Sequence, residues 1–161
     1  MGVVKLLAAI SAVIAALAAA GAVRAAPVST VSIYMPKGSS VDCGRVFAVQ
    51  RTVQGPKTPA AALRALLAGP TAAERRAGYG GWFSVKTRGT LLGVRVADGV
   101  LYANFRNFSR TIPNASTSCG SQLLLAQLDR TAKRFPCVKR TIYSFAGNRR
   151  AFYEWLQRRA P

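Results

Sequence analysis

Residues 58–74, TPAAALRALLAGPTAAE, predict a helix with a clear start, and the rest of the fold can be placed around it. Thr58 is a suitable N-cap, and Pro59 occupies the first helical position, where a missing N–H carries no penalty. The apolar side chains then recur at helical spacing and form one stripe, made of Ala62, Leu63, Leu66 and Leu67. This stripe predicts one helix face buried in the core.

The same segment also contains a helix stop and a new start. Gly69 and Pro70 end the first helix, because glycine favours the C-terminal turn and proline cannot continue it. Thr71 and Glu74 have the spacing of a capping box, in which each side chain bonds the other residue's backbone N–H. We therefore expect a second, shorter helical turn directly afterwards.

The first 25 residues predict a cleaved signal peptide. Lys5 precedes an uninterrupted apolar run over residues 6–23, and Val23-Arg24-Ala25 places small residues at the usual cleavage positions. Cleavage after Ala25 would deliver the protein outside the cytoplasm, secreted or periplasmic, with no transmembrane segment and no lipid-attachment cysteine. The alternative is an uncleaved anchor, because the run is almost long enough to span a bilayer.

Size and charge limit the classes of function. Removing 25 of the 161 residues leaves 136, the usual size of one domain, so we expect a single domain over residues 26–161. The sequence has 23 Lys and Arg against 5 Asp and Glu, and without Lys5 and Arg24 the charge is still about +16. Anionic wall polymers and lipid headgroups suit this charge, whereas export argues against nucleic acid. The alternative is an ordinary basic surface, because the charges are scattered.

The chain before the helix that begins at Thr58 predicts two strands. Val31, Ile33 and Met35 alternate with polar neighbours, which is the pattern of a half-buried strand. A second apolar stretch covers residues 46–53 and is closed by Gly55-Pro56. The two strands lead directly into the helix.

Asp98-Gly99 is a favoured two-residue hairpin turn, and it sets the register of the strands on both sides. With Ala97 opposite Val100, six apolar side chains share one face, and we expect all of them in the core: Leu92, Val94, Val96, Leu101, Ala103 and Phe105. The other face carries Gly93, Arg95, Tyr102 and Asn104, and it is either solvent-facing or a docking surface.

The C-terminal third predicts a helix over residues 120–134, a strand over 138–145 and a terminal helix over 150–159. The first of these helices has an apolar face and a charged face, the latter formed by Asp129, Arg130, Lys133 and Arg134. The order β-β-α-β-β-α-β-α indicates an α/β (α+β) fold with a single mixed sheet and its two main helices on one face.

The sequence has few of the side chains that usually carry catalysis. We therefore predict that the protein is not an enzyme and binds no metal or cofactor. No histidine is present, which excludes Ser-His and Cys-His nucleophile systems and ordinary zinc sites. Asp98 belongs to a turn, Glu74 to a cap and Asp129 to an exposed helix face. Asp42 and Glu154 are left without a local role, and a wall-glycan hydrolase that uses them as a pair is the weakest alternative.

Residues 78–89 combine three aromatic side chains, Tyr79, Trp82 and Phe83, with glycines. Such a segment either covers the end of a core or stacks on a ligand, and covering a core is the commoner use.

Several of these features together resemble the GerMN (sporulation and spore germination) domain. The motif LLAGPT with a Glu three residues after its threonine carries the likeness, and Arg51 precedes the helix as in the family. The hairpin GVRVADGVLYANF, the helix start CGSQLLLAQL and the strand in FPCVKRTIYSFAG follow in the family's order. The resemblance covers roughly residues 30–155. It implies a similar small α/β fold and a likeness to ring-building modules of envelope and secretion assemblies.

Cys43, Cys119 and Cys137 are an odd number for an exported chain, so one disulfide with one remaining thiol is the simplest arrangement. Spacing alone does not choose the pair. The resemblance pairs Cys43 with Cys119, since relatives often carry cysteines at these two places. The setting FPCV suggests that Cys137 is buried; three free thiols, or pairing of Cys137 between two chains, are the alternatives.

The combined expectation is a non-catalytic, exported GerMN-type domain that binds an envelope protein or a neighbouring copy of itself. The expected contact residues lie on the polar hairpin face and in basic pairs: Arg95, Tyr102, Asn104, Lys139, Arg140, Arg149 and Arg150. A secreted basic protein that binds anionic envelope polymers or lipids through charge is the alternative.

Overall fold

The computed structural model describes residues 26–38 and 42–161, so the predicted signal peptide lies outside the described residues. The elements follow the predicted order, with the short helix after Gly69 as an additional turn. In chain order they are β1 (Val28–Met35), β2 (Phe47–Gln54), α1 (Pro59–Leu67), α2 (Ala72–Arg76), β3 (Leu91–Ala97), β4 (Val100–Phe105), a 3₁₀ turn (Pro113–Ser116), α3 (Ser118–Ala132), β5 (Arg140–Phe145) and α4 (Arg149–Trp155).

Helix α1 begins and ends as the sequence predicted. The Thr58 hydroxyl accepts a hydrogen bond from the Ala61 N–H at 3.1 Å, and the four stripe residues are fully buried. The backbone of Gly69 has a φ of +73°, and a Cβ there would lie 2.5 Å from the Phe83 carbonyl oxygen. Glycine therefore allows the chain both to turn and to pass close to a neighbouring segment.

The α/β class is confirmed, but the strands form two sheets rather than the expected single one. β1 and β2 form an antiparallel pair, and β3, β4 and β5 form a second sheet in that order. β5 lies parallel to β4, because the chain crosses over through α3 between them. Helices α1 and α3 contact each other and both contact β1, whose Val31, Ile33 and Met35 are buried as predicted.

A β-bulge in β3 changes which leucine faces the core. Residues 94–97 have the predicted pairing, with Ala97 opposite Val100, but the register shifts between Leu91 and Gly93. Leu91 therefore pairs with Phe105 and is 8% exposed, whereas Leu92 is 50% exposed. The prediction that Leu92 points inward was wrong, since one extra residue moves the side chain to another face. Val96 is also exposed, because β3 is an edge strand.

Alanine substitutions at the two neighbouring leucines test this register. Leu91→Ala should lower the free energy of unfolding by about 2–3 kcal/mol, because it leaves a cavity in the core. Leu92→Ala should change it by less than about 0.5 kcal/mol, since the side chain is already in solvent. Urea denaturation of both variants gives the comparison. A larger loss of stability for Leu92→Ala than for Leu91→Ala would instead support the unshifted register.

The segment that precedes β3 closes the core. Phe83 is 2% exposed, and the Trp82 indole N–H donates to the Gly120 carbonyl at 3.0 Å. The fully buried Thr87 hydroxyl donates to the Leu67 carbonyl at 2.7 Å, which holds the segment against the end of α1. These contacts favour core covering over ligand stacking as the use of the aromatic side chains.

Candidate contact surface

The sheet of β3, β4 and β5 has one face in the core and one face open to solvent. Tyr102 in β4 lies opposite Arg95 in β3 and Ile142 in β5, so the three side chains form a row across the sheet. The Arg95 guanidinium is stacked over the Tyr102 ring, 4.2 Å from its centroid. Arg95 is exposed, and Tyr102 and Ile142 are half-buried. We call this solvent-facing side of the sheet, with Arg95, Tyr102 and Ile142 in its central row, the open face. The row places an amphipathic aromatic side chain beside a stacked cation.

Asn104 belongs to the same face but is occupied within the protein. Its Oδ1 atom accepts a hydrogen bond from the Ser144 hydroxyl at 3.0 Å and another from the Gly147 N–H at 2.8 Å. The side chain thus fastens β4 to the turn after β5. This role needs the pairing of β4 with β5, which the sequence pattern does not reveal.

The predicted basic pairs lie at opposite ends of the open face. The N–H groups of Lys139 and Arg140 donate to the Gly99 carbonyl at 2.7 and 3.0 Å, so this pair lies beside the hairpin turn. Arg149 and Arg150 begin α4, after the far end of β5. A six-residue strand spans roughly 17 Å, which separates the two pairs. Only Lys139 and Arg140 therefore extend the hairpin end of the open face.

Arg51 and Glu74 form a partly buried ion pair that joins three elements. The Arg51 Nε donates to Glu74 at 2.6 Å, and its Nη2 makes a second bond to the same carboxylate. The other contacts of Arg51 go to the carbonyls of Ala65 and Gly69, at 3.2 and 2.8 Å. β2 is thereby tied to the end of α1 and to α2. The sequence signal was the capping box, which identified Glu74 but not its partner.

The pKa of Glu74 lies below its usual value of 4.5, chiefly because Arg51 donates hydrogen bonds to the carboxylate, although burial acts in the opposite direction. A carboxylate with a lowered folded-state pKa stabilises the fold above its unfolded pKa, and this contribution is lost as the pH falls through the folded value. Acid should therefore weaken the fold, with the loss beginning below about pH 4.5.

Replacing Glu74 by glutamine should lower the free energy of unfolding by about 2 kcal/mol at neutral pH, since bonds to a charged group are lost. The difference from the parent protein should shrink at pH values below the folded pKa of Glu74. Urea denaturation at pH 7 and at successively lower pH values measures both effects. The matched control is Glu154→Gln, which breaks the exposed pair with Arg150 and should be nearly silent. Equal losses in the two variants would contradict the role of the Arg51 pair.

The other acidic side chains also have structural roles. Asp42 accepts from the Gly44 N–H at 3.2 Å, and Glu154 accepts from Arg150 at 2.5 Å on the exposed side of α4. Asp98 lies in the hairpin turn with a φ of +49°, as expected for that turn type. Asp129 was predicted to be exposed on its helix face. Instead it accepts hydrogen bonds from the hydroxyls of Thr141 and Tyr143, both at 2.7 Å.

Cys43 and Cys119 form a disulfide with a Cα–Cα distance of 4.9 Å, the pair that the family resemblance implied. It joins the turn before β2 to the first turn of α3. Cys137 is a free thiol and is exposed, so the expectation of burial was wrong. Its neighbours Phe135 and Val138 take the buried positions, and the intervening turn directs the cysteine outward.

Within residues 26–38 and 42–161, no cluster of three or more His, Cys, Asp or Glu side chains is arranged to hold a metal ion. None of the helices described has the length and apolar character that a bilayer crossing requires.

Comparison with known proteins gave a family and two structural neighbours. The family described as Germane, sporulation and spore germination, matches residues 32–147. The tandem GerMN domains of the sporulation protein GerM from Bacillus subtilis are 18% identical, with a TM-score of 0.48, over 75% of this chain and 41% of that one. The first GerMN domain of the same protein is 18% identical, with a TM-score of 0.47, over 75% of this chain and 85% of that one.

The chain thus spans about two fifths of the tandem-domain structure. A search of curated proteins gave no match. The resemblance to the GerMN domain is confirmed by the family match, which covers more than half of the 161 residues. The chain belongs to the Germane family of sporulation and spore germination domains.

Proposed function

We propose that this protein is a non-catalytic, exported binding or assembly module of the bacterial cell envelope, and that it contacts an envelope protein or a neighbouring copy through the open face. The observation that carries the proposal is the row of Arg95, Tyr102 and Ile142 across three strands. Tyrosine and arginine are the side chains that contribute most often to the energy of protein interfaces. Here they are held together before any partner arrives.

The edge of the same sheet adds apolar surface. β3 is an edge strand, and it exposes Leu92 and Val96, which are 50% and 38% accessible. Exposed apolar side chains beside unpaired backbone groups are features of strand-to-strand contacts. A protein contact built on this edge would depend on shape and apolar burial, and would be retained at high salt.

Charge favours an acidic protein over a second copy as the partner. Without Lys5 and Arg24 of the predicted leader the chain carries a formal charge of about +16, and copies with this charge repel each other at low ionic strength. The basic residues at the hairpin end, Lys139 and Arg140, would instead meet acidic groups. The second candidate function, binding of anionic wall polymers or lipid headgroups by charge alone, rests on the same excess of basic residues.

The test is to express the full chain with a C-terminal tag in a bacterium and to capture it from the extracytoplasmic fraction, with washes at low and high salt. Mass spectrometry would identify the mature N-terminus, expected at Ala26, and the retained molecules. We expect a defined protein that survives high salt with the parent chain and is lost with Tyr102→Ala. Arg88→Ala, an exposed change in the loop before β3, is the control that should retain it.

The outcomes separate the two candidates. Retention of wall polymer or lipid that disappears at high salt in all variants would replace the assembly proposal by charge-driven binding. Finding the tagged chain in the cytoplasm with all 25 leader residues intact would overturn export.

A further inference from the structure

A groove of about 400 Å³ lies between β1 and the C-terminal end of α3, away from the open face. Its walls are formed by Tyr34, Ala126, Asp129, Arg130, Lys133 and Arg134. The two sides are joined by a hydrogen bond from the Tyr34 N–H to the Thr131 hydroxyl, 3.0 Å long. Because Tyr34 belongs to a paired strand and Thr131 is fully buried, the walls of the groove are held by the fold itself.

The groove gathers three cations. Arg130, Lys133 and Arg134 are exposed, and all three line the groove at the C-terminal end of α3. Among the salt bridges of the described residues, only Lys133 takes part, with Asp129 at 3.7 Å. The guanidinium groups of Arg130 and Arg134 therefore have no carboxylate partner there. Two such planar groups can each donate a pair of hydrogen bonds to one anion.

The carboxylate in the groove, that of Asp129, already has hydrogen-bond partners in β5. One oxygen of Asp129 accepts hydrogen bonds from the hydroxyls of Thr141 and Tyr143, both at 2.7 Å. Burial raises the pKa of Tyr143 well above its usual value of 10, so its hydroxyl stays protonated and keeps donating. One Asp129 oxygen is thereby bonded toward β5 and the other lies near Lys133, while Arg130 and Arg134 line the groove as exposed side chains.

The sum of charges in the groove remains positive. Three cations and one carboxylate leave a net charge of about +2, and the helix C-terminus subtracts only about half a charge. A cluster of lysines and arginines on a convex surface attracts anions weakly, because water screens every contact. In a groove with a tyrosine wall, an anion exchanges part of that water for several donors at once.

We propose that this groove binds a phosphate group of an anionic ligand, with Arg130 and Arg134 as the bidentate donors and Lys133 as the neighbouring charge. The site is independent of the proposed envelope contact. Thr141 and Tyr143 point from β5 toward α3. Ile142, which lies between them in the strand, points to the other side of the sheet and belongs to the open face. Loss of one surface should leave the other intact.

The proposal is tested by isothermal titration calorimetry of the purified protein with two probes. One is linear polyphosphate in solution, and the other is vesicles of equal parts phosphatidylcholine and phosphatidylglycerol. Arg130→Gln combined with Arg134→Gln should weaken binding by at least about tenfold, since each lost charge-assisted contact accounts for a substantial fraction of the affinity. Arg88→Gln combined with Arg159→Gln removes the same charge from exposed positions outside the groove and should weaken binding much less.

A second pair of variants places a negative charge instead of removing positive ones. Ala126→Glu puts a carboxylate in the groove wall, whereas Ala73→Glu makes the same change at an exposed position of α2, outside the groove. We expect a strong loss of binding only for Ala126→Glu. The midpoint of thermal denaturation should be the same for every variant as for the parent, which shows that a loss of binding is not caused by misfolding.

The two probes identify the source of the phosphate. Groove-dependent binding of polyphosphate alone points to a soluble or wall-bound polymer, and groove-dependent binding of both probes points to lipid headgroups as well. Equal losses for the groove variants and their controls, with either probe, would overturn the site and leave only general attraction by charge. The capture of an envelope protein through Tyr102 would be unaffected by that result.

Discussion

Replacing Phe105 by alanine is expected to lower the free energy of unfolding by about 3–5 kcal/mol, the largest effect among the substitutions discussed. Phe105 is fully buried at the end of β4. Its ring lies 5.6 Å from that of Phe108 and 6.0 Å from those of Tyr143 and Phe152. The substitution would remove ring contacts with the loop after β4, with β5 and with α4 at once.

The measurement is urea denaturation at neutral pH, followed by circular dichroism. Phe47→Ala is the matched control, because it truncates the same side chain at a half-buried position of β2 outside the aromatic cluster. It should cost clearly less than Phe105→Ala. Similar losses at both positions would show that the aromatic cluster does not dominate the stability of this end of the fold. At a total stability of about 5 kcal/mol, the lower end of the usual range, the larger loss would leave a measurable part of the population unfolded.

Removal of the disulfide by Cys43→Ser combined with Cys119→Ser is expected to lower the free energy of unfolding by roughly 4 kcal/mol. The two cysteines are 76 positions apart, so the link restricts a long stretch of the unfolded chain. It also joins the turn before β2 to the first turn of α3, elements that are far apart in sequence.

Thermal and urea denaturation under non-reducing conditions would measure the loss. Cys137→Ser is the control, because this thiol is exposed and outside the disulfide. It should leave stability nearly unchanged. A dithiothreitol-treated parent protein should match the double variant, and a parent that keeps its full stability after complete reduction would contradict the stabilising role of the link.

Sequence patterns were reliable where the signal was local. The N-cap at Thr58 and the capping box of Thr71 and Glu74 depend on residues within one helical turn, and both are present as predicted. The hairpin register next to Asp98-Gly99 was also predicted correctly, because a two-residue turn leaves one pairing for its neighbours. The family resemblance, which joins many such local signals in order, is confirmed over residues 32–147.

Prediction failed where a partner came from a distant part of the chain. The bulge at residues 91–93 moved Leu92 outward, and nothing in its immediate neighbourhood marks that shift. Asp129 was assigned to solvent from its helix face alone, but β5 brings two hydroxyl groups to it. The hydrogen bonds that Asn104 accepts from Ser144 and from the Gly147 N–H were likewise not foreseen, because they depend on the pairing of β4 with β5.

The sequence by itself determined the order of the elements, the ends of α1, the apolar stripe and the turn between β3 and β4, since each follows from the backbone preferences and spacing of neighbouring residues. Only the tertiary structure decided that the strands divide into two sheets, that β5 returns parallel to β4, and that Arg95, Tyr102 and Ile142 share one open face. It also brought Tyr34 beside Arg130 and Arg134. The physical reason is that strand pairing and grooves depend on hydrogen bonds and burial between segments far apart in the chain, which local preferences do not encode.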